Sequence, residues 1–144
     1  VVGIALFYVI KFTEKKKHKD YVNKSSYPVE AADWILENLD VNNIRLFNEY
    51  NYGSYLLYKG IPVFIDSRAD LYAPEFNGTK DIFLDFINTS NLGRFYGKTF
   101  EEYGITHVIL YKNSKVSMII DKTEPEKYNK IYSDDHFVIY EIVK

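Results

Sequence analysis

Two apolar runs that end abruptly in polar residues constrain the fold of this chain more than any other feature. Residues 44–47, which are apolar apart from Arg45, are followed directly by Asn48, and residues 61–65 are followed by a charged segment, 66–70. The run 61–65 is apolar throughout, which is typical of a strand buried on both faces of a sheet. In an open parallel sheet, side chains that follow different strands meet at the carboxyl edge, where ligands bind. The sequence therefore predicts a polar crevice at this edge.

Five residues at the predicted edge are candidates for a polar binding pocket. They are Asn48, Asn51, Asp66, Arg68 and Asp70. Arginine also pairs with carboxylate through a fixed fork of donors, so the alternative is that Asp66 and Arg68 simply hold a long connection in place. Both interpretations stay open. The sequence predicts no catalytic residue, no metal ligand and no cofactor.

Acidic residues after a strand also allow a catalytic interpretation. Glu49, Asp66 and Asp70 are compatible with acid–base chemistry or with a divalent cation. The alternative function is therefore a metal-dependent hydrolase or transferase that uses Asp66 and Asp70. The chain has no cysteine and three scattered histidines, and it carries neither a phosphate-binding glycine motif nor a nucleophile elbow. No motif names a reaction.

The order of the predicted elements indicates an α/β fold. Apolar positions from Val29 to Leu39 recur at helical spacing, and residues 44–48, 61–65 and 105–111 are predicted strands separated by crossovers. Near the C-terminus, two β-rich runs flank the turn signal at residues 134–135. Together these predict a Rossmann-like three-layer domain with a short, mainly parallel sheet and a C-terminal antiparallel hairpin.

The first 27 residues differ in character from the rest. Residues 1–10 are all apolar or glycine, and lysines follow this run instead of preceding it, which is typical of the end of a membrane span. The alternative is a buried first strand or helix. The predicted domains are the end of a transmembrane helix (1–12), a basic tether (13–27) and a soluble α/β domain (28–144).

Charge is distributed unevenly along the chain. Residues 1–27 carry six lysines against two acidic residues, whereas the remainder carries 12 basic against 18 acidic residues. Lysines near a membrane are attracted to anionic lipid headgroups, so Lys15, Lys16 and Lys17 are predicted to contact them. The acidic body lacks the basic stripe that nucleic-acid binding needs, and a nucleic-acid partner is not expected.

Three tripeptides match the Asn-X-Ser/Thr acceptor sequence for N-glycosylation. They begin at Asn23, Asn77 and Asn88. Because such short matches arise by chance in asparagine-rich chains, the sequence alone assigns them no role.

Five segments of the chain occur in an order that suggests a family. They are PVEAADWI (28–35), FNEYNYGSYL (47–56), VFIDSRADLY (63–72), YGITHVIL (103–110) and IYSDDHFVIY (131–140). This series resembles the soluble C-terminal domain of multi-pass prokaryotic membrane proteins, some of which resemble lipid-phosphate-sugar-dependent glycosyltransferases of the mannosyltransferase type. Where that family tends to have Trp-Gly-Gly-Tyr and Asp-Gly-Arg, this chain has Tyr-Gly-Ser-Tyr (52–55) and Asp-Ser-Arg (66–68).

The resemblance implies that the chain functions as part of a membrane protein. In glycosyltransferases of this kind the catalytic acid lies in the membrane part, so the resemblance carries no catalytic residue onto this chain. It implies a non-catalytic, membrane-tethered accessory domain of a larger polytopic protein. The expected partner is the membrane part of the same protein, and the expected location of the soluble domain is extracytoplasmic.

Overall fold

The computed structural model describes residues 22–143. The predicted membrane helix (1–12) and most of the predicted tether (13–27) lie outside the described residues. Within residues 22–143, every helix is too short or too polar to span a bilayer.

Six α-helices and four strands make up residues 22–143, with one 3-10 turn (Ala69–Tyr72) before the third helix. In chain order the elements are α1 (Val29–Asn38), β1 (Leu46–Phe47), α2 (Tyr50–Tyr58), α3 (Pro74–Asn77), α4 (Ile82–Ser90), α5 (Tyr96–Glu102), β2 (His107–Tyr111), α6 (Lys115–Thr123), β3 (Tyr128–Ser133) and β4 (Phe137–Ile142).

The four strands form one mixed sheet in the order β1-β2-β4-β3. β1 and β2 are parallel, while β4 is antiparallel to both β2 and β3. The predicted α/β class and the C-terminal hairpin are confirmed. Asp134 closes that hairpin by accepting hydrogen bonds from the backbone N–H groups of His136 (2.8 Å) and Phe137 (2.7 Å). The prediction of a mainly parallel sheet is wrong, because one of the three strand pairs in residues 22–143 is parallel.

The predicted strand at residues 61–65 is wrong as well. Ile61 and Ile65 are buried, as expected, but the segment joins no ladder of the sheet. Pro62 lacks the N–H that a central strand donates. The side chain of Asn48 also occupies the backbone groups of Phe64 and Ile65 that a neighbouring strand would bind. The segment therefore contributes side chains to the core without extending the sheet.

The sheet contributes side chains to two separate apolar cores. Successive residues of a strand point to opposite faces, so Val108 and Leu110 enter one apolar core and Ile109 enters another. The first core takes side chains from α4, α5 and α6: Phe86, Tyr96, Phe100, Val116 and Ile120. The second takes side chains from α1 and α2: Ala31, Ala32, Ile35, Tyr52 and Leu56. The amphipathic helix predicted after Pro28 is confirmed as α1.

Candidate functional site

The polar residues of interest gather at one edge of the sheet. Because β1 and β2 are parallel, their carboxyl ends lie side by side, and Glu49 accepts a hydrogen bond from the backbone N–H of Tyr111 (3.3 Å) across this edge. The backbone at Ile65 lies against Asn48, which follows β1. We call this edge the carboxyl rim, defined by Asn48, Glu49, residues 65–68 and Tyr111.

Asn48 holds the rim together from inside. Its side chain is 0% exposed. Oδ1 accepts a hydrogen bond from the N–H of Phe64 (2.8 Å), and Nδ2 donates to the carbonyl oxygens of Ile65 (2.8 Å) and Glu49 (3.0 Å). The amide thus replaces the hydrogen bonds of a strand pairing that the sheet lacks here. With its donors and acceptor bound to backbone, Asn48 has a positioning role.

Asp66 and Arg68 form the ion pair that the sequence suggested. Asp66 is 0% exposed, whereas the side chain of Arg68 is 57% exposed. Asp66 Oδ1 accepts from the backbone N–H (2.8 Å) and from Nε (2.9 Å) of Arg68, and Oδ2 accepts from Nη2. These hydrogen bonds from Arg68 lower the pKa of Asp66 to about 2. Asp66 therefore stays ionised at neutral pH and is poorly suited to proton transfer.

The bend at residues 66–68 is also attached to helix α2. Ser54 and Ser67 share a hydrogen bond between their hydroxyls (2.7 Å), and Tyr50 donates its hydroxyl proton to the carbonyl oxygen of Ser67 (3.2 Å). Gly53 allows the helix to approach this closely, since a Cβ there would overlap the carbonyl oxygen of Ile65. The rim is a hydrogen-bonded, closely packed junction between α2 and the segment after residue 65.

Two of the five predicted pocket residues lie apart from this network. Asn51 and Asp70 are exposed, and the side chain of neither makes a hydrogen bond with another described residue. The structure thus brings Asn48, Asp66 and Arg68 together, while Asn51 and Asp70 remain on the surface. Within residues 22–143, no three His, Asp or Glu side chains are grouped so that they would hold a metal ion.

Glu49 is a rim carboxyl group whose pKa lies close to neutrality. Burial raises its pKa from 4.5 to about 7, against the lowering effect of the hydrogen bond from Tyr111. The sequence indicated Glu49 only as a companion of Asp66 and Asp70. Its position between the end of β1 and the start of α2 is visible in the sequence, but its burial beside Tyr111 depends on the pairing of β1 with β2.

The pKa of Glu49 predicts a pH dependence of stability. A carboxyl group whose pKa rises on folding stabilises the fold fully below pH 4.5, and this contribution is lost as the pH rises through about 7. The free energy of unfolding should therefore fall by about 2 to 3 kcal/mol between pH 4.5 and 8 from this group alone. Glu49→Gln should remove that fall. Urea unfolding at several pH values measures it.

The exposed Glu37 of α1 offers a matched control. Glu37→Gln makes the same chemical change on the surface and should keep the pH slope of the parent chain. An unchanged slope in Glu49→Gln would contradict the assignment.

A cavity of about 510 Å³ lies along the open edge of β1 instead of at the rim. It is lined mainly by residues 44–46 and 62–64, and by Ile82, Tyr103 and Ile105. None of the five predicted pocket residues lines it. The cavity exists because residues 62–64 run beside β1 without pairing with it.

Comparison of the chain with protein-family models, curated proteins and solved structures finds no significant match. The resemblance carried by the five segments therefore stays a prediction.

Proposed function

We propose that the chain is a non-catalytic, membrane-tethered accessory domain of a larger polytopic membrane protein, of the glycosyltransferase-like kind that the sequence resembles. The carboxyl rim is the side that docks on the membrane part, and the domain is extracytoplasmic. Its fold is a Rossmann-like three-layer arrangement with a shortened parallel part. The two apolar cores on opposite faces of the sheet support that arrangement.

A structural role of the rim is supported by how its polar groups are used. Asn48 is bound to backbone, and Asp66 is bound to Arg68 at a pKa far below neutrality. The alternative enzyme needs Asp66 to bind a metal with Asp70, but both carboxylate oxygens of Asp66 already accept hydrogen bonds from a guanidinium cation. Polar side chains whose hydrogen bonds are made to neighbouring protein groups are typical of a structural role.

The observation that carries the proposal is where the N-terminal segment joins the fold. The hydroxyl of Tyr111, at the end of β2, donates to the carbonyl oxygen of Ser26 (3.1 Å). The ring of Tyr27 packs on Tyr55 of α2, with 5.6 Å between ring centroids. The segment that follows the lysine-rich stretch thus reaches the domain at the carboxyl rim. In a tethered protein, this edge is the one nearest the membrane part and its headgroups.

The docking orientation can be measured with single cysteines, because the 144-residue chain has none of its own; any cysteine elsewhere in the full protein is first replaced by serine. Asn51→Cys places a thiol on the rim side, at the start of α2, and Asn42→Cys places one before β1, at the opposite end of the strands. Both parent residues are exposed. In the full protein in its membrane, a benzophenone-maleimide at position 51 should crosslink to membrane-embedded segments or lipid. The same probe at position 42 should give no such product.

The same two variants also test location. A membrane-impermeant maleimide should label Asn42→Cys in intact cells if the domain is extracytoplasmic. If position 42 gave the same crosslinks as position 51, the proposed docking orientation would be contradicted. Labelling of Asn42→Cys only after lysis would remove the extracytoplasmic placement.

A further inference from the structure

The three Asn-X-Ser/Thr tripeptides fall into two structural classes. The first lies in an exposed turn at residues 23–25, and the second runs from half-buried Asn77, the last residue of the four-residue helix α3, into the exposed bend at residues 78–79. The third lies within α4, at residues 88–90. Glycan transfer needs a surface segment that an enzyme can bind in an extended or turned conformation. The structure therefore separates the three matches, which the sequence could not.

The turns at Asn23 and Asn77 share one pattern of side-chain hydrogen bonds. Asn23 Oδ1 accepts from the N–H (3.0 Å) and the hydroxyl (2.7 Å) of Ser25. Asn77 Oδ1 accepts from the N–H (2.9 Å) and the hydroxyl (3.0 Å) of Thr79. In both turns the Ser or Thr two residues after the asparagine is exposed, and its hydroxyl contacts the carboxamide of that asparagine. Gly78, with a φ of 75°, turns the chain outward between Asn77 and Thr79.

The third tripeptide is closed to an enzyme by its own helix. Thr89 is buried, and its hydroxyl bonds to the carbonyl oxygen of Asp85 (2.7 Å) and to Thr99 (2.6 Å). The hydroxyl oxygen of Ser90 is buried without a hydrogen-bond partner among the described residues. Presenting Asn88 would require α4 to unfold and its contacts with the core to break.

We propose that Asn23 and Asn77 are acceptor sites for an N-linked glycan, and that Asn88 is not. The donor is an oligosaccharide carried on a lipid pyrophosphate, and a membrane oligosaccharyltransferase performs the transfer. A bond forms between Nδ2 of the asparagine and C1 of the first sugar, while the bond from C1 to the pyrophosphate oxygen breaks. The lipid pyrophosphate leaves with the electron pair, and Nδ2 releases one proton to a base of the transferase. Modification in the native membrane rests on the extracytoplasmic placement proposed above.

The sites are tested on the folded 144-residue chain in detergent. The chain is incubated with a purified single-subunit oligosaccharyltransferase that requires only Asn-X-Ser/Thr, together with its lipid-linked donor, and is then measured by intact mass. We expect an increase of two glycan masses. Ser25→Ala and Thr79→Ala should each remove one glycan mass, whereas Ser90→Ala should remove none. An unmodified chain beside a modified peptide acceptor would overturn the proposal, as would glycan mapped to Asn88.

A second mass measurement, on the chain isolated from its native membrane, distinguishes failure of this inference from failure of the proposed function. An increase of two glycan masses in that sample would support the acceptor sites and the extracytoplasmic placement. Modification by the purified transferase but none in the native membrane would leave the two acceptor sites standing and would overturn their use in the native protein, while the maleimide labelling of Asn42→Cys decides the extracytoplasmic placement. A mass increase that survives in the double variant Ser25→Ala/Thr79→Ala would overturn the site assignment.

Discussion

Replacing Gly53 with alanine is expected to destabilise this domain by more than about 4 kcal/mol, which is a large part of the free energy of unfolding of an ordinary domain. A Cβ at position 53 would overlap the carbonyl oxygen of Ile65 and would lie 2.9 Å from both Nδ2 of Asn48 and Cα of Asp66. Two of these atoms are backbone, so α2 would have to move away from the segment after residue 65. Thermal unfolding followed by circular dichroism measures the loss.

Gly97 in α5 provides the matched control for this substitution. It is also a buried helical glycine, but an added Cβ would meet ring carbons of Phe95, at 2.5 and 2.9 Å. Phe95 is exposed and its ring has room to turn away. Alanine also has a higher helix propensity than glycine by about 1 kcal/mol. Gly97→Ala should therefore stay within about 1 kcal/mol of the parent chain, and similar effects at both glycines would contradict the close approach at position 53.

The parts of the fold that the sequence predicted are those with strong local patterns. Helix α1 has a clear apolar stripe, β2 is a continuous buried run, and the turn at residues 134–135 separates two β-rich segments. Residues 61–65 have an equally apolar pattern, but only Ile61 and Ile65 are buried as predicted, while Pro62 is exposed. Whether such a run pairs in a sheet depends on its neighbours, however. Here Pro62 and the side chain of Asn48 prevent the pairing.

The candidate site was predictable to the same extent. Asn48 and Asp66 both follow apolar runs, and their common edge was predicted from that placement. The exposure of Asn51 and Asp70 depends on the rotation of α2 and on the path of residues 69–77, which no periodicity encodes. The raised pKa of Glu49 depends on burial against a strand that lies 58 to 62 positions later in the chain. Long-range burial of this kind is not readable from local sequence.

Asn48, Gly53 and Asp66 form one structural unit at the carboxyl rim. A Cβ on Gly53 would meet Asn48 and Asp66 as well as Ile65, so each of the three limits where the others lie. Asn48 replaces missing strand hydrogen bonds, Gly53 lets the helix approach, and Asp66 fixes the bend through Arg68. We therefore expect the rim to lose its geometry when any one of these interactions is lost.

Asn48→Asp is expected to cost about 3 to 5 kcal/mol at pH 7, although it changes only one atom of the side chain. Nδ2 donates to the carbonyl oxygens of Ile65 and Glu49, and an introduced carboxylate oxygen would repel both. It would also place a negative charge at a site that is 0% exposed. At pH 4 the loss should shrink, because a protonated carboxyl group again donates to one of these oxygens. Urea unfolding at pH 4 and pH 7 measures both values.

A substitution at the exposed Asn51 provides the matched control for Asn48→Asp. Asn51→Asp introduces the same atom three residues later, in the first turn of α2, where a negative charge is favoured by the helix dipole. It should leave the free energy of unfolding within about 0.5 kcal/mol of the parent chain at pH 7. If Asn48→Asp were equally mild, the amide would not be replacing a strand pairing, and the position of residues 64–66 would have to depend on apolar burial alone. A large loss of stability in Asn48→Asp but not in Asn51→Asp would show that the side chain of Asn48 determines the geometry of the rim.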